Sequence, residues 1–251
     1  MRETNYDEIA DTYDRRYDDE DYSGIEEALV DFVSNASQRV LEIGCGTGHW
    51  LQQLQKLNIR AMGVDPSWPM LSRARAKFDS GRLIRARAEH LPLANGRFDR
   101  IFSINAHHHF SDKRTAIYEA HRLLHPGGAL MLVALDPHTG VDQWWVYDYF
   151  DGTREIDKQR YPSCEHIRAW MNAAGFKDTY TREVQHLPGD ASARHALETG
   201  IVDPGHTSQL AVLTADEFSR GVARIRAALV RDADLRLSAD LRLYGTFGTA
   251  R

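Results

Sequence analysis

A glycine-rich turn constrains the fold of this chain more than any other feature. Residues 39–43 form a largely apolar run of strand length, Gly44, Gly46 and Gly48 follow at alternate positions, and residues 49–57 carry apolar side chains at helical spacing. Such a loop lets the backbone approach a ligand closely, and the N-terminus of the following helix offers unpaired N–H groups to an anionic group. The pattern predicts a strand, a bare loop and a helix that together form one half of a nucleoside-binding site.

Two carboxylates narrow the class of ligand. Asp65 ends the next apolar run, where it can accept hydrogen bonds from two ribose hydroxyls. The loop differs from the G-x-G-x-x-G pattern of dinucleotide sites, because His49 stands where the third glycine should be. Glu42, two residues before the first glycine, would repel a pyrophosphate but suits an ammonium or sulfonium cation. These residues favour S-adenosylmethionine over a dinucleotide.

From this loop onward the chain resembles the class I S-adenosylmethionine-dependent methyltransferases. It is most similar to the small single-domain group, of methyltransferase type 11, that is related to quinone-biosynthesis enzymes. Four ordered segments within residues 40–135 carry the resemblance: 40–48, 63–71, 88–99 and 119–128. Any one of them would be a weak signal, but their order gives the resemblance its weight. It implies a Rossmann-like fold, S-adenosylmethionine as cofactor and S-adenosylhomocysteine as product.

Composition agrees with a soluble enzyme of one α/β domain. The 251 residues, of which 42% are hydrophobic, can bury one good core. A formal net charge of −5 argues against a nucleic-acid partner held by a strong basic field, and two cysteines imply no disulfide framework. No apolar run approaches the ~18 residues that a membrane helix requires. We therefore expect a cytoplasmic monomer or homodimer with no nucleic-acid or membrane partner.

The order of predicted strands indicates the sheet. Strand-like runs recur with room for a helix between them, at residues 39–43, 60–65, 82–86, 98–104 and 128–135. Such alternation predicts a doubly wound parallel sheet. The resemblance adds an antiparallel pair, residues 176–184 and 240–248, which completes a seven-stranded, mostly parallel, Rossmann-like α/β fold. Residues 126–128, Pro-Gly-Gly, are expected to end a helix that begins near Ser111.

The C-terminal part departs from simple alternation. A helix is predicted from Ser163 to Ala174, stopped by Gly175. Residues 187–235 are too long for a hairpin loop and contain helical patterns at 190–199 and 215–230. We therefore divide the chain into four parts: N-terminal cap helices (1–35), the cofactor-binding core (36–186), a helical insert that covers the substrate (187–235) and the last strand of the core (236–251).

The resemblance also implies the cofactor contacts. The ribose is expected on Asp65 and the amino-acid portion over Gly44, Cys45 and Gly46, near Glu42. Further contacts are expected from Tyr13, Pro66, Met70, Ala88, Glu89, Asn105 and Ala106. Many relatives have an Asp at the position of Arg87, where it accepts a hydrogen bond from the adenine amino group. An arginine cannot accept that hydrogen bond. Glu89 or a backbone carbonyl is therefore expected to replace that Asp.

Candidate catalytic residues follow the fourth predicted strand. A base is required only for a hydroxyl, phenol or acidic carbon, since a neutral amine can attack before it loses its proton. His107, His108 and His109 lie at the edge of the sheet where such folds bind ligands, and histidine titrates near neutral pH. We predict His108 or His107 as the base. The alternative is a packed structural role for each, because three adjacent side chains cannot all face one pocket.

Aromatic side chains are candidates for binding the acceptor. They can form a wall for a flat or cationic molecule through stacking and cation–π contact, or else pack in the core. The candidates are Tyr6, Trp144, Trp145 and Tyr147. No metal site is predicted, because His121 and His125 have the spacing of a helical pair but lack a third ligand in their motif.

Three functional classes remain open. A methyltransferase acting on an O, N or C atom of a small molecule is favoured by the chain length, the acidic balance and the insert. An RNA or protein methyltransferase would be expected to show a basic rim or a proline-containing amine site, and residues 103–106 lack those prolines. The third class binds the cofactor but acts in regulation or promotes a non-methylating reaction.

Overall fold

A mixed β-sheet of eight strands organises this chain. The computed structural model describes residues 13–15, 17, 20–34, 39–77 and 82–251. Its strands are β1 (Val40–Ile43), β2 (Ala61–Asp65), β3 (Leu83–Arg85), β4 (Phe98–Ile104), β5 (Leu124–Leu135), β6 (Gln143–Trp144), β7 (Phe176–Ser192) and β8 (Arg236–Ala250). Their order in the sheet is β3-β2-β1-β4-β5-β8-β6, and β7 also pairs with β8.

Strand direction follows from the connections. Strands β1 to β5 pair in parallel, because helical segments link most of them and return the chain to the same end of the sheet. Strand β8 runs antiparallel to β5, β6 and β7. The predicted Rossmann-like α/β fold is thus confirmed. The strand that was not predicted is β6. It has only two residues, and its Trp144 lies opposite Ala239 of β8.

Ten α-helices lie in the described part of the chain. They are α1 (Ser23–Ser34), α2 (His49–Lys56), α3 (Trp68–Lys77), α4 (Lys113–Leu123), α5 (Trp145–Tyr149), α6 (Thr153–Arg160), α7 (Cys164–Ala174), α8 (Ala193–Thr199), α9 (Ser208–Ala211) and α10 (Ala215–Arg231). Among the described residues, 3₁₀ turns span Tyr13–Arg15 and His107–His109. The predicted limits of α7 are confirmed, since Ser163 caps its N-terminus and Gly175, with φ +105°, follows its last residue.

The predicted end of α4 is wrong. The helix stops at Leu123, and residues 126–128 lie in the first part of β5 instead. Pairing with β4 changes register here, from Phe98 opposite Leu124 to Arg100 opposite Ala129. Proline has no N–H to donate to a ladder, so a strand tolerates it best at such an irregularity.

The insert begins later than predicted. Strand β7 continues to Ser192, which pairs with Arg236 at the start of β8, so the helices occupy 193–231 rather than a segment that starts at 187. The long β8 explains the difference, because it offers β7 a backbone partner along its whole length. Helix α10 begins in a capping box formed by Thr214 and Glu217.

Three apolar clusters hold these layers together. The first two contain helix and strand side chains of the core, centred on residues such as Leu51 and Phe102 in one and Ile101 and Ile117 in the other. The third belongs to the insert and its contacts: Trp145, Phe150, Leu210, Ile225 and Leu237 are buried in it, with Phe218, Val222 and Leu229 packed against them. In the described part of the chain, no helix combines the length and apolarity needed to cross a membrane.

Candidate active site

The glycine loop follows β1 at the carboxyl edge of the sheet. Its three glycines have positive φ angles of +80°, +50° and +77°. The amides of Gly44 and Cys45 both donate to the carbonyl of Val64, at 2.8 and 3.0 Å. A Cβ added to Gly44 would lie 2.4 Å from the Cβ of Ala106, so only glycine fits where the loop meets the end of β4. The loop is therefore fixed against both neighbouring strands.

Asp65 joins the end of β2 to this loop. Its carboxylate accepts hydrogen bonds from the amides of Gly46 and Ser67, both at 2.9 Å, and the residue is 9% exposed. A carboxylate has roughly four lone-pair sites, so Asp65 can accept hydrogen bonds from several donors at once. Asp65 also lines the open cleft beside the loop, as a ribose-binding carboxylate must.

That cleft, which we call the glycine-loop cleft, contains most of the predicted cofactor contacts. It has a volume of about 730 Å³ including its open mouth. Its lining residues are Tyr13, Ile43, Gly44, Gly46, Val64, Asp65, Pro66, Ser67, Met70, Ala86, Arg87, Ala88, Glu89, Asn105, Ala106, His109, Phe110 and Ser111. Among the described residues, the nearest neighbour of a Cβ on Gly46 would be Tyr13 at 3.9 Å, so these residues leave space for a ligand at this point.

Glu42 and Cys45 lie beneath the loop rather than on the wall of this cleft. Glu42 is 1% exposed, and its Oε2 has no hydrogen-bond partner in the described structure. Burial, with the nearby charge of Asp65, raises the pKa of Glu42 well above its usual value. Its unpartnered oxygen is a hydrogen-bond acceptor buried directly beneath the loop. The Cys45 side chain is also buried, and burial raises the pKa of its thiol.

Glu89 fits the role left open by Arg87. Its Oε1 accepts hydrogen bonds from the Ser111 hydroxyl at 2.9 Å and from the Asp112 amide at 3.1 Å. Burial raises the pKa of Glu89, but these hydrogen bonds outweigh burial and hold it below the usual value. Glu89 is therefore an ionised acceptor on the wall of the cleft, as the exocyclic amine of an adenine would require.

A second pocket lies next to the cleft, on the side of the helical insert. This insert-side pocket has a volume of about 720 Å³ with its opening. It is lined by Glu20, Tyr22, Asn105, His108, His109, Leu135, Trp144, Tyr161, Leu187, His206, Thr207, Ser208, Gln209, Leu241 and Leu243. Asn105 and His109 line both spaces, so the two pockets are adjacent and share these side chains.

The structure separates the two histidines predicted as bases. His107 lines neither pocket; its Nε2 lies 3.2 Å from the carbonyl of Lys113, and burial lowers its pKa to about 4. His108 lines the insert-side pocket and stacks on Tyr161 with ring centroids 3.9 Å apart. Burial, with the nearby charges of His109 and Arg160, lowers the pKa of His108 well below its usual value. Only His108 of the predicted pair is near a possible acceptor.

The four aromatic candidates have different positions. Trp144 lines the insert-side pocket, whereas Trp145 lines an adjoining groove and packs in the third cluster. Tyr147 lies behind the pocket, where its hydroxyl donates to Asp157 at 2.9 Å. Tyr6 lies outside the described residues.

Sequence reasoning missed a buried polar cluster behind the insert-side pocket. Arg160 and Asp157 are 2% and 1% exposed and form an ion pair 3.5 Å apart. Gln209, from the insert, donates to Asp157 at 3.0 Å and to the Tyr161 hydroxyl at 3.3 Å. Burial raises the pKa of Asp157 to about 6, against the opposing effect of Arg160. Arg160 and Asp157, three apart on α6, were a possible local signal, but their burial depends on the insert.

Comparisons with known proteins agree with this geometry. A family model of the methyltransferase domain matches residues 41–132. An uncharacterized methyltransferase of Anoxybacillus flavithermus is 33% identical over 189 residues, which cover 70% of this chain and 87% of that protein.

Two solved structures share the fold. One is a putative methyltransferase from an antibiotic biosynthesis pathway of Anabaena variabilis, with a TM-score of 0.67, 19% identity and coverage of 88% of this chain and 96% of that one. The other is Haemonchus contortus phosphoethanolamine N-methyltransferase 2, in complex with S-adenosyl-L-methionine. It has a TM-score of 0.57 and 20% identity, and the match covers 91% of this chain and 52% of that one.

The chain belongs to the class I S-adenosylmethionine-dependent methyltransferases. It is an enzyme of that class, and S-adenosylmethionine is its cofactor. The glycine-loop cleft fits such a molecule, because open space at Gly46, an acceptor at Asp65 and a buried unpaired oxygen on Glu42 lie around one loop.

Proposed function

We propose that this enzyme methylates an O, N or C atom of a small molecule held in the insert-side pocket. The observation that carries the proposal is that the side chains of Asn105 and His109 line both pockets. A cofactor in the glycine-loop cleft and an acceptor in the second pocket would meet there. A small acceptor is supported by the walls of that pocket, which come from the N-terminal segment, the turn after β4, strands β5 to β8 and the helical insert.

The cofactor residues would act by placement. Asp65 would hold the ribose, Glu89 the adenine amino group, and Gly44 with Gly46 the amino-acid portion above Glu42. Pro66, Met70, Ala88 and Tyr13 would supply apolar contact, and Asn105 with Ala106 would border the reacting end. When bound, S-adenosylmethionine supplies an activated methyl group on a sulfonium, so orientation and exclusion of water account for most of the chemistry that the protein must contribute.

His108 is our proposed base for an acceptor that must lose a proton. Its ring lines the insert-side pocket, it is 4% exposed, and burial lowers its pKa and so favours the neutral ring. A neutral imidazole can take a proton, whereas an imidazolium cannot. Trp144 would contact the acceptor, while Trp145 and Tyr147 would support the wall behind it.

The location, oligomeric state and partners of the enzyme can also be proposed. We propose a cytoplasmic enzyme, monomeric or homodimeric, with neither nucleic acid nor membrane as partner. A formal net charge of −5 supports weak interaction with polyanions. Light scattering after gel filtration would measure the oligomeric state, and a trimer or larger assembly would contradict it.

A labelling experiment tests the proposed activity. The enzyme would be incubated with S-adenosylmethionine carrying a deuterated methyl group and with a whole-cell extract, and the small-molecule, RNA and protein fractions would each be analysed by mass spectrometry. Asp65→Ala serves as the cofactor-site control. We expect label on small molecules with the wild-type chain only. Cofactor binding together with label solely on RNA or protein would contradict the small-molecule acceptor, and binding without any transfer would favour a non-methylating role.

A further inference from the structure

One of the two side chains shared by the pockets is His109, which the sequence did not favour as a functional residue. It lines the glycine-loop cleft and the insert-side pocket, and of the three adjacent histidines it alone lines both. Its ring lies against that of His108, with centroids 3.8 Å apart. A group at this position can contact the atom that receives the methyl group.

A buried arginine determines which ring nitrogen of His109 carries the proton. The Nη2 of Arg160 lies 3.5 Å from Nδ1 of His109, while Nη1 contacts the carbonyl of Ser208 at 3.2 Å. A guanidinium has five N–H donors and no acceptor, so Nδ1 of His109 must supply the lone pair. A neutral imidazole that accepts at Nδ1 carries its proton on Nε2. The contact therefore selects one tautomer, in which Nε2–H is a hydrogen-bond donor.

The position of Arg160 is itself determined by its surroundings. The residue is 2% exposed and forms its ion pair with Asp157, which is 1% exposed. Tyr147 and Gln209 both donate to Oδ2 of Asp157, at 2.9 and 3.0 Å. Gln209 and Ser208 belong to the insert, so the insert must pack against α6 before Arg160 has all of these contacts.

We propose that Arg160 positions His109 as the Nε2–H tautomer and that His109 donates a hydrogen bond to an acceptor oxygen, so that the methyl group is transferred to a hydroxyl or phenol. This inference rests on the proposed function and narrows its acceptor. An amine nitrogen has one lone pair, which must point at the methyl group and cannot also accept from His109. An oxygen has at least two, so one can attack while another accepts the hydrogen bond.

The chemical step balances without a further reactant. The acceptor oxygen forms a bond to the methyl carbon as the carbon–sulfur bond of the sulfonium breaks, and that electron pair stays on sulfur. The hydroxyl proton passes to the neutral ring of His108, which lines the same pocket, and later leaves to solvent. His109 keeps its proton throughout. The two neighbouring histidines thus have opposite roles, one as base and the other as donor.

Nuclear magnetic resonance measures the tautomer without a known acceptor. The full chain would be labelled with ¹⁵N-histidine and saturated with S-adenosylhomocysteine, and long-range ¹H–¹⁵N spectra would be recorded at neutral pH, with His109→Gln to assign the signal. We expect a protonated, pyrrole-type Nε2 and an unprotonated Nδ1 on His109. A proton on Nδ1, or an imidazolium, would overturn the proposal. Failure to bind S-adenosylhomocysteine would instead refute the cofactor site.

A pair of matched variants tests Arg160 as a positioning residue. Arg160→Lys keeps the charge beside Asp157 but removes the planar fork, so we expect the His109 signal to shift toward a mixture of tautomers. Arg154→Lys is the control, because Arg154 lies on the same helix, over the ring of Tyr147, and has no contact with His109 in the described structure. A His109 spectrum unchanged in both variants would refute positioning by Arg160.

Paired acceptors test the assignment of oxygen. The wild-type chain would be assayed with sets of small phenols and alcohols and with the amines of the same skeletons. We expect transfer to hydroxyl members, a loss of at least tenfold in kcat/KM in His109→Ala, and partial recovery in His109→Gln, whose amide keeps a donor. Transfer to amines but to no hydroxyl partner would overturn the inference while leaving methyl transfer itself intact.

Discussion

Gly46→Ala should separate the binding role of the glycine loop from its effect on stability. Gly46 has φ +50° and lines the glycine-loop cleft, and among the described residues the nearest neighbour of an added Cβ would be Tyr13 at 3.9 Å. Gly127→Ala is the matched control, since Gly127 has φ +86° and does not line the cleft, and no atom of the described residues would lie within 4 Å of an added Cβ. Alanine in the left-handed region costs roughly 1–2 kcal/mol. Both variants should therefore lose a similar amount of folding stability.

Only Gly46→Ala should lose affinity. The added methyl group would occupy space that the amino-acid portion of the cofactor needs, and we expect at least tenfold weaker binding, about 1.4 kcal/mol. Stability would be measured by urea unfolding and affinity by calorimetric titration with S-adenosylhomocysteine. If Gly46→Ala remains folded and binds as tightly as Gly127→Ala, the cofactor does not lie against this loop and the reasoning fails.

Three further predictions concern single residues. Asp65→Ala should weaken cofactor binding by roughly 1.5–3 kcal/mol through loss of hydrogen bonds to a charged group, and unchanged affinity in calorimetry, with the exposed Asp151→Ala as control, would refute the ribose site. Burial lowers the pKa of His107 to about 4, so on acidification this histidine binds a proton in the unfolded chain before it does so in the folded chain. The contribution of His107 to the free energy of unfolding should therefore fall by about 3 kcal/mol between pH 6.5 and pH 4. His107→Gln should reduce that slope in urea unfolding at several pH values, and an unaltered slope would contradict the burial of a neutral ring. Tyr147→Phe should cost roughly 1–3 kcal/mol, because Asp157 loses a donor in a buried site, and an unchanged unfolding midpoint would count against the polar cluster.

Local signals explain what the sequence predicted well. The glycine loop and Asp65 form one short strand-loop-helix unit whose conformation depends on residues near in sequence, and the structure places Gly44, Gly46 and Asp65 on one cleft. The limits of α7 follow equally from a capping side chain and a terminal glycine at its two ends.

Features that depend on distant partners were predicted less well. Residues 126–128 have the composition of a helix stop, but pairing with β4 makes them part of an irregular strand. Strand β7 extends beyond residue 184, where the predicted strand ended, because β8 continues to pair with it as far as Ser192. The distinction between His107 and His109 depends on Arg160, which lies 51 residues further along the chain, and on an insert that buries it.

The central claim is that cofactor and acceptor meet at Asn105 and His109. A crystal structure of the full chain with S-adenosylhomocysteine tests this most directly. We expect the ribose hydroxyls within hydrogen-bond distance of Asp65, and the sulfur facing His109 at the opening to the insert-side pocket. A product bound elsewhere, or one whose sulfur points away from that opening, would contradict the account.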